Sequence, residues 1–310
     1  MKNSKNFYIN GQWVEPQQQN FLEVINPATE KSIGQISLGS RKDVDLAVGA
    51  ATLAFKSYSQ SSVSERVSIL ENVKRGLESR REEIAKTITE QMGAPITFAR
   101  EAQTFTCIAH VEAMIGILRS FVFEERVGTT LVTKEPVGVV GLITPWNWPL
   151  NQIICKVIPA IAAGCTVVLK PSEIAPLDAI IFAEILHDAG LPAGVFNLVN
   201  GDGPNVGDAI SRHPGIHLVS FTGSTRAGIL VAQAAADTVK RVTQELGGKS
   251  ANIILDDANI AEAVATGVEL CLSNSGQSCD APTHMFVPHR YYEDALNVAA
   301  LTANAAVVGD

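Results

Sequence analysis

One cysteine of this sequence lies in a stretch whose composition favours a chemical role. Cys279 follows Leu272-Ser-Asn-Ser-Gly-Gln-Ser, where serine, asparagine and glycine predict a polar loop after a helix over Ile260–Leu272. A cysteine in a polar loop is not packed as a small apolar side chain, so the reactivity of its thiol becomes its main property. The alternative is an ordinary loop thiol, and residues elsewhere in the chain must decide between the two.

A stiff turn with one central asparagine is the second candidate. The stretch Thr144-Pro-Trp-Asn-Trp-Pro149 has two prolines that restrict the turn and two tryptophans around Asn147. An amide that is held in a fixed place can donate hydrogen bonds to an oxyanion that develops during a reaction. In the alternative interpretation Asn147 satisfies local backbone groups, as asparagine commonly does in turns.

A cation and a carboxylate close together form the third candidate. Lys170 and Glu173, in Lys170-Pro-Ser-Glu173, follow a predicted strand and suit the two hydroxyls of a ribose. The carboxylate would accept from the hydroxyls and would repel a 2′-phosphate. The alternative is a solvated ion pair, which contributes little.

Two further stretches complete the set. Phe221-Thr-Gly-Ser-Thr-Arg-Ala-Gly228 places small residues before a helix, which is typical of an anion-binding helix N-terminus, although it departs from the usual dinucleotide fingerprint. Glu245-Leu-Gly-Gly-Lys249 places a carboxylate among apolar and glycine neighbours, which favours general-base chemistry. A buried structural glutamate with backbone partners is the alternative. Gly201 and Gly203 predict another tight turn.

These residues can form one site only if the strands before them end at the same edge of a sheet. The central sequence alternates between predicted strands and helices, which is typical of such a sheet. Short apolar strands are predicted over 137–143, 166–169, 195–199, 217–221 and 242–246, and helices over 150–163, 177–189, 206–211 and 227–236. Such alternation predicts an α/β fold with a parallel, doubly wound, Rossmann-like sheet, which binds ligands beyond the carboxyl ends of its strands. A further strand is predicted over 251–255, with a domain junction near Lys249-Ser250.

The sequence before this region predicts a hairpin and a helical scaffold. Asn10-Gly11 between apolar residues predicts a two-residue hairpin turn over Phe7–Val14. Apolar residues recur at helical spacing over 43–55, 67–88 and 105–121. Thr129–Lys134 is predicted as an exposed strand without a partner nearby in the sequence.

Length, composition and charge limit the kinds of protein that this chain can be. The chain has 310 residues, enough for about two domains, and its 46% apolar and 18% charged residues indicate a globular protein. A formal net charge of −8 gives no electrostatic footprint for nucleic acid or an anionic membrane. Five scattered cysteines without a Cys-x-x-Cys pair, no signal peptide and no apolar run of spanning length predict a cytoplasmic protein without a metal site.

In combination, these motifs resemble those of the NAD(P)-dependent aldehyde dehydrogenase superfamily, in family order and over essentially the whole chain. The motifs are Pro145-Trp-Asn-Trp-Pro149, Lys170-Pro-Ser-Glu173, Phe221-Thr-Gly-Ser-Thr225 with Gly228, Glu245-Leu-Gly-Gly-Lys249 and Asn274-Ser-Gly-Gln-Ser-Cys279. The N-terminal hairpin and Asn26-Pro27 fit as well. The resemblance implies oxidation of a small-molecule aldehyde to a carboxylic acid, with NAD as cofactor and NADP less favoured.

The resemblance also implies a role for each site residue. Cys279 would be the nucleophile, Glu245 the general base, and Asn147 an oxyanion donor together with the backbone N–H of Cys279. The Lys-Glu pair of the second motif would hold the adenosine ribose, and Ser224 would lie by the pyrophosphate. The complete set of residues expected to bind the cofactor is Thr144, Pro145, Trp146, Lys170, Ser172, Glu173, Gly203, Gly207, Phe221, Thr222, Gly223, Ser224, Gly228, Leu246 and Gly247.

The domain organisation follows from the same resemblance. Residues 1–117 and 137–248 would form the NAD-binding domain, 118–136 part of an oligomerisation element, and 249–310 part of an α/β catalytic domain. Relatives continue beyond this point with a Glu-x-Phe-Gly-Pro motif and most of the substrate domain, and the full-length chain would form a homodimer or homotetramer. The alternative to an enzyme is a truncated, non-catalytic dinucleotide-binding remnant, or a subunit that acts only with a full-length relative.

Two local departures and one agreement bear on the chemistry. Asp280 directly follows the thiol, and a neighbouring carboxylate disfavours a thiolate. His284 stands where relatives usually have arginine, which concerns local anchoring. Related semialdehyde dehydrogenases that pass the acyl group to coenzyme A usually lack the glutamate found here as Glu245, so its presence favours hydrolysis of the thioester.

Overall fold

A seven-stranded sheet is the centre of the first of two units, which divide between Glu245 and Leu246. The computed structural model describes residues 1–309. The strands are β1 Phe7–Ile9, β2 Gln12–Val14, β3 Phe21–Ile25, β4 Ser32–Ser37, β5 Glu124–Val127, β6 Thr130–Thr133, β7 Val139–Ile143, β8 Thr166–Lys170, β9 Phe196–Leu198, β10 Leu218–Gly223, β11 Arg241–Leu246, β12 Ala251–Ile253 and β13 His284–Phe286. The helices are α1 Arg41–Tyr58, α2 Val63–Ser79, α3 Arg81–Met92, α4 Ile96–Phe98, α5 Thr104–Ser120, α6 Pro149–Ala162, α7 Leu177–Asp188, α8 Asp208–Arg212, α9 Thr225–Ala236, α10 Ile260–Leu272 and α11 Tyr292–Ala305.

The order of strands in this sheet is β11-β10-β7-β8-β9-β1-β2. β10, β7, β8 and β9 pair in parallel, with Leu142 of β7 opposite both Ser220 of β10 and Leu169 of β8. Because β8 and β10 lie on opposite sides of β7, the chain reverses its direction across the sheet at β7. The predicted doubly wound α/β fold is therefore confirmed, and the point of reversal is followed directly by the Thr144–Pro149 turn.

Apolar burial explains why these segments form the middle of the sheet. All five residues of β7 and all five of β8 are buried, as expected for strands covered by helices on both faces. Helix α7 is buried along most of its length, and Phe182 from it packs edge-on against Phe196 of β9. Each such side chain contributes about 1.5–3 kcal/mol when it is removed from water.

The N-terminal hairpin is confirmed, and it has a place that the sequence pattern did not reveal. β1 pairs with β2 through a turn in which Asn10 and Gly11 have φ of 53° and 77°, the left-handed values that such a two-residue turn requires. β1 also pairs antiparallel with β9 through Tyr8 and Leu198. The hairpin therefore extends the parallel sheet and covers the outer edge of β9.

The strand predicted over Thr129–Lys134 is present as β6, but the prediction that it has no partner nearby is wrong. It pairs antiparallel with β5, Glu124–Val127, across a tight turn in which Gly128 has φ of 61°. All residues of both strands are exposed. Because β5 consists mostly of charged residues, it lacks the apolar alternation by which a strand is predicted from sequence.

The helical region before residue 121 is confirmed in type and differs in detail. The apolar spacing over 67–88 is shared by two helices, α2 and α3, which meet at Arg80. A short π-helical segment, Ala99–Gln103, precedes α5. Ser40 and Ser62 begin α1 and α2 with capping boxes, in which the serine and an acidic residue three positions later bond reciprocally to the backbone.

The second unit begins at Leu246 and contains one small sheet. β12 and β13 pair in parallel, and α10 and α11 pack against one another. The buried core is small, with Ile254, Val264 and Ala295 at its centre. Large apolar side chains such as Phe286 and Leu301 remain 50% and 72% exposed. The functional meaning of the two units stays a prediction.

Within residues 1–309, the structure contains no helix of sufficient length and apolar character to cross a membrane.

A matched pair of glycines tests the packing of β7. A Cβ at Gly141 would lie 2.5 Å from Ile210 Cγ2, so Gly141→Ala should lower the free energy of unfolding by about 1–3 kcal/mol through overpacking. A Cβ at Gly49, inside α1, would have no atom within 4 Å. Gly49→Ala should therefore raise the free energy of unfolding by up to about 1 kcal/mol, because alanine has the higher helix propensity. Urea denaturation measures the free energy of unfolding of both variants, and equal changes in the two would contradict the close contact of Gly141 with Ile210.

Candidate active site

The carboxyl ends of β7, β8 and β10 bring several predicted cofactor residues together. Thr144 follows β7, and its backbone N–H donates to the carbonyl of Lys170 at the end of β8 over 3.1 Å. Thr222 lies near the end of β10, on the other side of β7. The hydroxyls of Thr144 and Thr222 are buried and have no hydrogen-bond partner in the described part of the chain. This edge therefore has unused capacity to bind polar groups.

Lys170 and Glu173 form a close ion pair at this edge. Lys170 is 3% exposed, and its Nζ donates to Glu173 Oε2 and to the carbonyl of Pro171, both over 2.9 Å. Burial lowers the pKa of Lys170, and the charges of Glu173 and Asp202 oppose that effect. The alternative of a solvated pair is wrong for the lysine, while the glutamate stays partly exposed and available to a ligand.

A cavity of about 500 Å³ lies beside this pair, within the usual range for small-molecule sites. Three of the predicted cofactor residues, Gly203, Gly207 and Phe221, line it together with Ile143 and Val231. A Cβ on Gly207 would lie 3.9 Å from Lys170 Cδ, so the cavity and the ion pair are neighbours. The lining is mostly apolar, which suits a flat aromatic base.

The predicted phosphate turn is the start of α9. Ser224 is the N-cap residue, and its hydroxyl accepts from the N–H of Ala227 over 3.2 Å. Its carbonyl accepts from the N–H of Gly228 over 2.9 Å. The hydroxyl of Ser224 therefore serves its own helix, which leaves the helix N-terminus rather than this side chain as the feature that favours an anion.

The predicted oxyanion turn lies directly before α6. Asn147 is half-buried between Trp146, which is 38% exposed, and Trp148, which packs edge-on against Phe98 at 5.4 Å. Pro149 is the first residue of α6. The aromatic contact and the following helix hold the turn from both sides.

Glu245 interacts electrostatically with Lys156. The sequence predicted Glu245 as a site residue and did not predict Lys156. Glu245 is exposed near the end of β11, so the alternative of a buried structural glutamate is wrong. Burial lowers the pKa of Lys156, whereas the nearby Cys155 and Glu245 raise it. Lys156 Nζ donates to Ser220 Oγ over 3.2 Å. Lys156 is the one charged residue of the apolar helix α6, and this feature could have marked it in the sequence.

The loop before Cys279 in the second unit has a backbone conformation that most residues avoid. The helix over Ile260–Leu272 ends as predicted, and Asn274, Ser275 and Gly276 follow with φ of 54°, 58° and 74°. Two successive non-glycine residues in the left-handed region cost about 1–2 kcal/mol each. Such strain persists only where surrounding contacts hold it, and it is frequent at active sites.

Contacts within this loop hold its shape. Asn274 is 2% exposed, and its Nδ2 donates to the Gln277 carbonyl over 3.1 Å. The N–H of Gln277 donates to the Asn274 carbonyl over 3.1 Å. Cys279 follows as a half-buried thiol. The predicted polar loop is therefore present as an ordered turn.

Three neighbours of Cys279 have defined surroundings in the same unit. A Cβ on Gly248 would lie 3.1 Å from the carbonyl oxygen of Cys279, so only glycine fits there without displacement. Asp280 is exposed. His284, where arginine was expected from the resemblance, stacks on Phe286 with ring centroids 4.5 Å apart.

Comparison with known proteins now decides the family. The sequence model of the aldehyde dehydrogenase family matches residues 13–310. The chain belongs to the aldehyde dehydrogenase family. A 3-succinoylsemialdehyde-pyridine dehydrogenase from a Pseudomonas species is 56% identical over 311 residues, covering 100% of this chain and 65% of the relative.

Solved structures of aldehyde dehydrogenases share this fold. Aldehyde dehydrogenase C of Pseudomonas syringae, crystallised as a mutant with NAD+ and octanal, is 51% identical with a TM-score of 0.98, covering 99% of this chain and 64% of that one. An aldehyde dehydrogenase of Bartonella henselae is 50% identical with a TM-score of 0.97, covering 100% and 66%. The chain thus spans about two thirds of the length of these relatives.

Two adjacent glycines offer a test of how closely the loop is held. Gly248→Ala should displace the Cys279 backbone, because its Cβ would press on the carbonyl oxygen at 3.1 Å. We expect the rate at which iodoacetamide alkylates Cys279 to change severalfold. Gly247→Ala is the matched control, since nothing lies within 4 Å of its Cβ. Peptide mass spectrometry measures both rates, and identical rates would contradict the contact.

Proposed function

We propose that this chain carries the cofactor site and the nucleophile of an NAD-dependent aldehyde dehydrogenase that oxidises an aldehyde to a carboxylic acid. The observation that carries the proposal is the ordered left-handed turn that presents the half-buried thiol of Cys279. Family membership supports it, as do the NAD+ and octanal in the crystal structure of the Pseudomonas syringae relative.

The residues at the carboxyl edge of the sheet fit NAD. The Glu173 carboxylate can accept from a ribose diol while Lys170 keeps it in place. The apolar cavity beside Phe221 and Val231 suits the adenine ring, and the N-terminus of α9 suits the diphosphate. NAD, when bound, accepts the hydride that leaves the substrate carbon.

The thiol of Cys279 supplies the covalent step. Its thiolate attacks the aldehyde carbon and forms a thiohemiacetal whose oxygen carries a negative charge. We assign the amide of Asn147 and the backbone N–H of Cys279 as donors to that oxygen, each worth about 3–4 kcal/mol. Loss of hydride from the thiohemiacetal leaves a thioester on Cys279.

Glu245 completes the cycle by releasing the acid. As general base it takes a proton from water, which then attacks the thioester, so that the carboxylic acid leaves and the thiol is restored. The exposure of Glu245 supports this role, because the carboxylate can return its proton to solvent. A transfer to coenzyme A instead of water would not need this base.

A second candidate is a dinucleotide-binding subunit that acts only with a longer relative. The observation that favours it is the small buried core of the second unit, where large apolar side chains such as Phe286 and Leu301 stay exposed. Exposed apolar surface is used in many proteins to bind a partner. Activity of the purified chain alone separates the two candidates.

The cofactor preference has a direct test. We expect NAD to bind at least about tenfold more tightly than NADP, because Glu173 repels a 2′-phosphate, and Glu173→Gln to reduce that ratio. Tryptophan fluorescence reports binding through Trp146 and Trp148. Glu90→Gln, which removes an exposed charge from α3, is the matched control. Equal affinity for both cofactors in the unaltered chain would refute the preference.

The nucleophile and the base should fail in different ways. Cys279→Ser should abolish both NADH formation and the acyl adduct, a loss of more than about 1000-fold. Glu245→Gln should still give one burst of NADH and then stall as a thioester. Stopped-flow absorbance and intact-protein mass measure the two steps, with Cys271→Ser on α10 as the control thiol.

Each outcome of that experiment has a meaning. A normal steady rate in Cys279→Ser would disprove the nucleophile. A Glu245→Gln variant with neither burst nor adduct would show that the glutamate also generates the thiolate. A chain that binds NAD but forms no adduct at all would favour the second candidate.

A further inference from the structure

One half-buried position of β11 carries a polar side chain where the pattern of the strand predicts an apolar one. β11 alternates between exposed and half-buried residues, with Arg241, Thr243 and Glu245 exposed and Val242 and Gln244 half-buried. Because successive side chains of a strand point to opposite faces of the sheet, Gln244 faces away from Glu245. The amide of Gln244 therefore lies on the covered face of β11, where it needs a hydrogen-bond partner.

The start of α9 provides that partner. Gln244 Nε2 donates to the carbonyl of Gly228 over 2.5 Å, across 16 positions of the chain. Gly228 is buried, and its own N–H donates over 2.9 Å to the carbonyl of Ser224, the N-cap residue of α9. Two consecutive hydrogen bonds thus connect the side chain on β11 to the residue at which α9 begins.

The contacts of β10, which lies beside β11, indicate which face of the sheet α9 covers. Ser220 Oγ accepts from Lys156 of α6 over 3.2 Å, whereas the next residue, Phe221, lines the 500 Å³ cavity together with Val231 of α9. α6 and α9 therefore lie on opposite faces of the sheet at β10. Gln244 belongs to the face that α9 covers.

Apolar packing alone gives α9 little to fix its position. The residues that α9 buries are Gly228, Val231, Ala234 and Ala235, which together remove little apolar surface from water. The hydrophobic effect is also not directional, so it resists sliding or turning of such a helix only weakly. A hydrogen bond needs a distance of about 3 Å and a favourable angle, so the bond from Gln244 holds the first turns of α9 in one place.

The position of this helix start matters for an anionic ligand. The first N–H groups of a helix have no partner within the helix, and they point at an anion that lies before it. Hydrogen bonds weaken steeply when their angle falls below about 120°, so a helix that turns loses its bonds to the anion first. Non-directional contacts with the apolar lining of the cavity, such as Phe221, tolerate the same movement better.

We propose that Gln244 is a positioning residue, which holds the N-terminus of α9 where its N–H groups meet the diphosphate of the cofactor. Gln244 acts through Gly228 and not through a contact of its own with the cofactor. The identity of the ligand rests on the function proposed above, whereas the bond between Gln244 and α9 does not. β11 then has two roles, because Gln244 fixes the cofactor helix on one face and Glu245 supplies the proposed base on the other.

Hydrogen exchange tests this anchor without a ligand. Gln244→Met keeps the length of the side chain and removes the donor, whereas Gln244→Asn keeps the amide and is too short to reach Gly228. We expect both variants to speed exchange in the segment 225–232 about fivefold, as the loss of one hydrogen bond implies, and to leave α6 unchanged. Gln12→Met is the matched control, because Gln12 is exposed on β2, at the opposite edge of the same sheet. Unchanged exchange of that segment in both variants would overturn the proposal.

Ligand binding tests the consequence for the cofactor. Calorimetry compares ADP-ribose, which has the diphosphate, with adenosine, which lacks it. We expect both Gln244 variants to bind NAD and ADP-ribose about fivefold more weakly, while their affinity for adenosine changes less than about twofold. Equal losses for ADP-ribose and adenosine would show a general structural role and overturn the proposal.

Failure of this proposal and failure of the proposed function give different results. If the unaltered chain binds neither NAD nor ADP-ribose, the proposed cofactor site is wrong, and the positioning role of Gln244 is wrong with it. If the unaltered chain binds both ligands and the two Gln244 variants bind them equally well, the cofactor site stands and only the positioning role is overturned.

Discussion

The reversal of chain direction at β7 is the constraint on which the rest of the structure depends. β7 lies between β8 and β10, so the connections that leave these strands must diverge, and they cannot close over the carboxyl end of β7. The polar residues Thr144, Lys170 and Thr222 all lie at this edge, where the strands that precede them end. The apolar faces of β7 and β8 in turn require helices on both sides of the sheet.

Three ionisable groups of the first unit, Lys170, Lys156 and Asp178, are buried or half-buried, and the polar groups around them differ. Lys170 has a carboxylate at 2.9 Å, and Lys156 has a hydroxyl and the field of a glutamate. Asp178 has donors around it but no bond of standard geometry. The first arrangement suits permanent charge, while the other two leave the protonation state dependent on surroundings. Burial of ionisable groups lowers the stability of the folded state, and it holds their side chains in fixed orientations.

The sequence predicted those features that depend on local chemistry. Asn10-Gly11 specified its hairpin because the turn needs left-handed residues, and β7 and β8 were readable because buried strands are apolar throughout. β5 was not readable, because its exposed strand is charged and acquires its structure from its partner. The exposure of Glu245 and the complete burial of Asp178 depend on contacts between elements far apart in sequence. No local pattern encodes such contacts, so only the folded arrangement reveals them.

The hairpin at the N-terminus has a consequence for how the chain folds. Tyr8 is hydrogen-bonded to His187, 179 positions later, and β1 lies along β9. A ribosome releases β1 first, and β1 can pair at once with β2, but its place in the large sheet depends on β9, which is made only at Phe196–Leu198. Closing so long a loop is slow, and meanwhile the edge of β9 is open to any other extended chain. The first strand to be made is therefore among the last to find its place, and the interval before it does so is when this chain is most exposed to aggregation.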